Sequence, residues 1–318
     1  MKIKVLFMFL LPALIYSQDN IIRDTSFTIN SAYEKIKEEF PFAKPATVNK
    51  EITIKSNIIY YQEGKRNLHL DLFFPESLNK KMPCIIIIHG GGWRSGHKEM
   101  EWAIASNIAS KNFVTATIEY RLSTEALYPA AVLDIKNAIL WIKENSEKFN
   151  IDTNKIILMG QSAGGQLAAL AGVTCGIKKF EPVSKKHSTK IMAIIDIDGV
   201  LDMTTPSESG KDTIPSKPSA AKMWLGFTYK EKPEIWKEAS PLTYISKNTP
   251  PMLFINSSIP RFHAGRDEAI EILKQYNIYS EVHTLENTPH TFWLFNPWQE
   301  KVINIIVSFV NKISQEAK

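Results

Sequence analysis

"KIILMGQSAGGQLAALAGV", residues 155–173, is the stretch that organises the rest of the chain. An apolar run rich in isoleucine ends at Gly160, residues 161–164 turn, and an alanine- and leucine-rich helical stretch follows. Ser162 sits at the centre of a G-x-S-x-G pattern in the context that pattern requires, strand then sharp turn then helix. Glycines flank the serine because side chains two positions away on so tight a turn would collide. The competing reading, a serine that merely caps a helix, does not call for the preceding strand. Ser162 is therefore the candidate nucleophile.

Working outward, apolar runs recur at 84–89, 113–120, 192–198, 251–256 and 280–285, several of them continuous and β-branched. That texture belongs to strands buried on both faces of a parallel sheet. Residues 51–61 and 68–74 instead alternate apolar and polar around a gap holding Gly64, which predicts an antiparallel pair. Between these runs, 128–149 carries Pro129 near a helix start, with Val132, Ile135, Ile139 and Ile142 at helical spacing. Residues 266–277 and 299–313 are similar amphipathic runs. Strands alternating with helices predict an α/β fold with a mostly parallel central sheet covered by helices on both faces. Residues 199–245, rich in Ser, Thr, Lys and Pro, interrupt the rhythm and read as a small inserted cap.

The ends of the chain are different in kind. Two lysines, an apolar run from Val5 to Tyr16 and small Ser17 before polar residues have the layout of a secretory signal peptide over 1–17. The apolar stretch is shorter than the roughly 20 residues a membrane-spanning helix needs, so cleavage, export to the periplasm or exterior, and no stable membrane anchor are expected. Residues 18–49, interrupted by Pro41 and Pro45, read as an N-terminal surface segment ahead of a domain over 50–318. Basic residues number 38 against 33 acidic, without an arginine tract or lysine block, so nothing points to nucleic acid. Cys84 and Cys175 could pair in an oxidising compartment or serve as small buried hydrophobes.

A serine hydroxyl needs a place for the negative charge that develops on its substrate's oxygen. Residues 85–96, "IIIIHGGGWRSG", supply one: a strand ends at His89 and Gly90–Gly92 follow, whose amides an oxyanion can approach closely. Gly91 and Gly92, with the amide of Ala163, are the expected oxyanion hole. A phosphate-binding glycine loop is the alternative, but neither a following Lys-Ser pair nor G-x-G-x-x-G spacing is present.

Together, H-G-G-G-W at 89–93, "EYRL" at 119–122, "YPAAVLDIKNAILWI" at 128–142, "GQSAGG" at 160–165 and "TPHTFW" at 288–293 resemble the α/β-hydrolase fold. Within it the chain is similar to secreted esterases of the HGGG type, the hormone-sensitive-lipase-like enzymes and the bacterial pectin- or xylan-type carbohydrate esterases. The resemblance spans roughly residues 50–316 and implies a nucleophile, acid, histidine order along the chain. His290, after the last strand, is the expected base. His283 lies inside that strand and His263 before it. The acid departs from the pattern: the strand at 251–256 is ordinarily followed within a few residues by G-x-x-D, and here no carboxylate follows until Asp267. Asp267 is the first candidate, although it could simply cap a helix; Asp202 and Glu268 are the others.

Asp134 and Arg121 read as a structural pair. Arg261, His263 and Arg266 follow a strand's C-terminal end, where open α/β sheets place their sites, and could form a partly cationic substrate wall or only hold a loop. Trp93, Trp293 and Trp298 are candidates to face a sugar ring, although such aromatics are usually core. The expectation is a serine esterase without metal or organic cofactor that removes O-acetyl or uronate methyl esters from a plant or algal polysaccharide or oligosaccharide. A general carboxylesterase or lipase on lipid-like esters, a peptidase, and a catalytically dead binding module are the alternatives.

Overall fold

A computed structural model of the protein describes residue 24 and residues 26–76, 80–183, 187–211 and 216–316. The leader read over 1–17 lies outside these residues. The strands are β1 Lys44–Pro45, β2 Ile52–Glu63, β3 Arg66–Pro75, β4 Met82–Ile88, β5 Val114–Ile118, β6 Ile151–Gln161, β7 Ala193–Ile197, β8 Met252–Ser257, β9 Ser280–Leu285 and β10 Phe295–Asn296. The α-helices are α1 Ile29–Ile36, α2 Trp102–Ala109, α3 Ala130–Glu144, α4 Ala163–Val173, α5 Pro206–Ser209, α6 Ala220–Leu225, α7 Pro233–Glu238, α8 Arg266–Gln275 and α9 Trp298–Glu316.

Eight strands form one sheet in the order β2-β3-β5-β4-β6-β7-β8-β9. β3 pairs antiparallel with both β2 and β5, and every pairing from β5 through β9 is parallel. The antiparallel hairpin thus falls where the alternating patterns placed it. β4 shows why the inner strands are continuously apolar: Cys84, Ile86 and Ile88 pack into the core on one face while Ile85 and Ile87 pack into that on the other. The first core is closed by α3, α4 and the β7–β8 excursion, through Val132, Ile135, Leu167, Trp224 and Trp236 among others. The second is closed by α2, α9 and the N-terminal α1, through Ile104, Phe309 and Ile36. Both cysteines are free thiols.

Two segments outside the regular alternation pack into the cores. Residues 26–49 do not simply skirt the surface: α1 packs Ala32 and Ile36 into the second core, and β1 pairs with β10 next to the loop that holds His290. Between β7 and β8 the chain forms α5, α6 and α7, and Trp224 and Trp236 from it are wholly buried. Among the described residues no helix is long and apolar enough to cross a membrane.

Candidate active site

The parallel strands end on one edge of the sheet, and the candidate side chains come from the loops that leave it. β6 runs directly into α4, and Ser162 at the junction adopts φ +55°, ψ −121°, a conformation most side chains avoid. Its neighbours explain the glycines. A methyl group on Gly160 would sit 2.0 Å from the Gly164 carbonyl oxygen, and one on Gly164 would sit 2.0 Å from that of Ile88. The turn closes only because both positions lack a side chain.

His290, after β9, reaches back to this serine: its Nε2 is 2.9 Å from Ser162 Oγ. Its Nδ1 lies 2.9 Å from Oδ2 of Asp198. An ionised carboxylate only accepts, so Nδ1 carries the proton and Nε2 accepts from the serine hydroxyl. Phe262 stacks on the imidazole at 3.7 Å with planes 3° apart, and Trp293 meets it edge-on at 5.3 Å.

Asp198 replaces the carboxylates expected from the sequence. It is fully buried immediately after β7, one strand closer to Ser162 than the β8 loop where G-x-x-D was sought. The backbone there is left-handed, φ +51°. The end of β8 serves as its cradle: the Ser257 amide donates to Oδ1 at 2.7 Å and the Ser257 hydroxyl to Oδ2 at 2.7 Å. Asn256 Nδ2 approaches Oδ1 at 3.5 Å, while its own carbonyl oxygen accepts from Arg266 at 3.1 Å. Behind it, buried Asp196 accepts the Gly199 amide at 2.8 Å, and burial raises its carboxyl to about 7. Asp267 is wrong as the acid because its side chain is 72% exposed and bonded to Arg266, and that hydrogen bond, helped by the guanidinium charge, lowers its pKa. Asp202 spends Oδ1 on the amide and hydroxyl of Thr204, and Glu268 is exposed on α8.

On the other side of Ser162, the 89–96 loop is fixed by three donors converging on the Gly91 carbonyl: the amides of Arg94 and Ser95 and the Ser95 hydroxyl. Gly91 and Gly92 adopt φ +118° and +61°, and both border the cleft that holds Ser162 and His290. Ala163 opens α4, so its amide is one of the unpaired donors of a helix start. The cleft has a volume of about 410 Å³. Its remaining wall comes from Phe27, Ala32, Lys35 and Ile36 of the N-terminal segment, with Pro289 and Thr291 beside the histidine.

None of the residues expected to face substrate lines the cleft. Trp93 is buried, stacked on Trp224 at 4.9 Å and donating to Gln166 at 2.9 Å. Trp293 is 1% exposed, and Trp298 packs edge-on against Phe40 and Phe42. Arg261 is paired with Glu208, His263 bonds to the Ser257 carbonyl, and Arg266 serves Asn256 and Asp267. Apolar and cationic side chains near strand ends read alike as site or support, and here each of the six has a partner within the protein. Arg121 and Asp134 do form the bidentate pair expected of them, Nε donating to Oδ2 at 3.0 Å and Nη2 to Oδ1 at 2.7 Å. His283 stays on β9, bonded to Glu281. Among the described residues no cluster of His, Cys, Asp and Glu could hold a metal ion.

Comparison with known proteins bears on the same segments. The family called BD-FAE matches residues 70–272, which include the glycine loop, the nucleophile turn and Asp198. The chain belongs to the BD-FAE family. Among curated relatives, this BD-FAE chain is 32% identical to Esterase LipC of Mycobacterium tuberculosis over 181 residues, 56% of this chain and 44% of that protein. It is 28% identical to the probable carboxylic ester hydrolase LipM of the same organism over 245 residues, 74% of this chain and 56% of that one. The chain thus spans about half the length of these relatives. Among solved structures, a truncated carbohydrate esterase from gut microbiota superposes with TM-score 0.69 at 23% identity, covering 86% of this chain and all of that one. Thermogutta terrifontis esterase 2 in its apo form gives TM-score 0.67 at 22% identity, covering 83% of this chain and 95% of that one. At these identities the likeness is one of fold, and the fold of the BD-FAE chain is that of the α/β-hydrolases.

Proposed function

We propose that the protein is a carboxylic ester hydrolase that works by acyl transfer to Ser162. The unbroken hydrogen-bonded chain from Ser162 through His290 to buried Asp198 carries this reading. His290 Nε2 takes the serine proton as Oγ bonds to the ester carbonyl carbon. The oxygen, now negative, is received by the amides of Gly91, Gly92 and Ala163, each worth about 3 kcal/mol at the transition state. The carbon–alkoxy bond breaks and His290 returns the proton to the departing alcohol; water, giving its proton to the same base, then attacks the acyl carbon, the bond to Oγ breaks, and His290 passes that proton to Ser162 as the acid leaves. Asp198 holds the imidazole in its tautomer and balances its positive charge.

As a finer reading, the ester is a small group, O-acetyl or uronate methyl ester, on a plant or algal polysaccharide met outside the cytoplasm. The exported layout of residues 1–17 and the fold shared with a carbohydrate esterase support it. The apolar side chains beside Ser162 favour a second reading, esters of lipid-like acids. Incubation with defined polysaccharides, with released acetate and methanol quantified, tests the first: release abolished by Ser162→Ala is expected, and its absence from every polymer removes the carbohydrate reading. A chain-length series of nitrophenyl esters separates the second, since a lipase prefers long acyl chains.

A further inference from the structure

The hydrolase reading leaves the N-terminal segment without a task, yet the structure invests heavily in holding it across the mouth of the site. At one end Asp24 bonds to Arg94 at 2.7 Å and bridges to Ser95, directly beside the glycine loop. At the other end β1 pairs with β10, the Ala46 amide donates to the Leu294 carbonyl, and Phe40 and Phe42 clasp Trp298. These last contacts follow His290 by a few residues. The segment is thus pinned to the oxyanion side and to the histidine side, and α1 lies between the two pins. Thr28 and Ser31 form a reciprocal cap that fixes where α1 begins. The helix then packs Ala32 and Ile36 against the second core. Phe27, Ala32 and Ile36 are also apolar side chains that border the cleft, together with Gly91, Gly92, Ser162 and His290.

We propose that this strap is the acyl-binding wall of the site, with Phe27, Ala32 and Ile36 receiving an apolar acyl group while the alcohol leaves past His290. The proposal rests on the hydrolase reading. Its chemical basis is the contrast between the two halves of an ester formed on a sugar hydroxyl: the alcohol half is hydroxylated and would leave its hydroxyls unpaired against Phe27, Ala32 and Ile36, whereas an apolar acyl chain loses nothing there and leaves water. A cleft of about 410 Å³ has room for an acyl group well beyond acetyl. Ala32 faces it as a short side chain, so bulk added there subtracts from the space available to the chain, and bulk removed at Phe27 adds to it.

The test compares kcat/KM on nitrophenyl acetate, butyrate and octanoate for the full chain and two variants. Ala32→Phe is expected to lower the octanoate-to-acetate ratio roughly tenfold, the scale of a small steric misfit in an apolar pocket. Phe27→Ala is expected to move the ratio the opposite way, which a loss of folding in the other variant could not imitate. Ratios that stay at the parent value in both variants, or fall together, overturn the acyl wall while ester hydrolysis lost in Ser162→Ala keeps the hydrolase reading standing. A parent protein inert on all three esters overturns the hydrolase reading and the wall with it.

Discussion

At the scale of the residue, Asp198 is the decisive side chain. Its carboxylate accepts from Ser257 through both oxygens and from His290 through one, so its position is fixed by the ends of β8 as much as by its own strand. An amide in its place could keep the Ser257 contacts only by turning a nitrogen toward the Nδ1 proton, or by forcing the imidazole into the other tautomer. Asp198→Asn is therefore expected to lower kcat on nitrophenyl acetate by on the order of 10³ to 10⁴ with the melting temperature little changed. Asp267→Asn, which removes only an exposed partner of Arg266, should leave that rate where it was; a large loss there and none at Asp198 would reverse the assignment. The sequence concealed Asp198 in "MAIIDIDGVLDM", where a carboxylate two residues from another in a buried strand reads as an anomaly of the core. The missing G-x-x-D after β8 was the visible half of the signal. Asn256 and Ser257 occupy the end of that strand and supply hydrogen bonds to a carboxylate displaced onto β7.

At the scale of the element, legibility followed how local the determinant was. The nucleophile turn, the glycine loop, the parallel strands and the antiparallel hairpin were all readable, because each depends on side chains within a few positions. The roles of Trp93 and the 199–245 excursion were not, because they depend on one another across the fold. Trp93, held at φ +60°, stacks on Trp224 of α6 at 4.9 Å, and Gln166 of α4 joins its indole to the Ala239 carbonyl beyond α7. The excursion is in effect a clamp that holds the oxyanion loop against the nucleophile helix. Trp224→Ala should cost about 3–5 kcal/mol in urea unfolding, as expected for emptying a buried indole site. Measured well below the melting temperature, kcat and kcat/KM should fall together by roughly tenfold, since a slackened loop fails the transition state more than the bound ester. A rise in KM alone would make Trp224 part of ordinary substrate binding instead.

At the scale of the whole molecule, the buried titratable groups set a pH profile that runs against the usual gain in stability with ionised carboxylates. Glu101 is buried, its Oε2 has no partner among the described residues, and burial raises its carboxyl from 4.5 to about 8. Between those values the unfolded chain has released this proton and the folded chain has kept it. The unfolded state then binds fewer protons, so stability falls as pH rises through that window, by on the order of 1 kcal/mol per pH unit. Asp196, raised from 3.8 to about 7, acts in the same direction. His89 opposes them: stacked on Tyr120 and buried, it is lowered from 6.5 to about 4, so the folded state gains on the unfolded as pH rises across that interval. Above 6.5 the histidine no longer contributes, and the decline owed to Glu101 stands exposed up to about 8. Urea midpoints collected across that upper window should therefore decrease with pH in the parent protein and flatten in Glu101→Gln, which keeps the shape of the neutral acid and cannot ionise. Parallel slopes in the two proteins would mean that Glu101 is charged in the folded state and that a counter-ion reaches it.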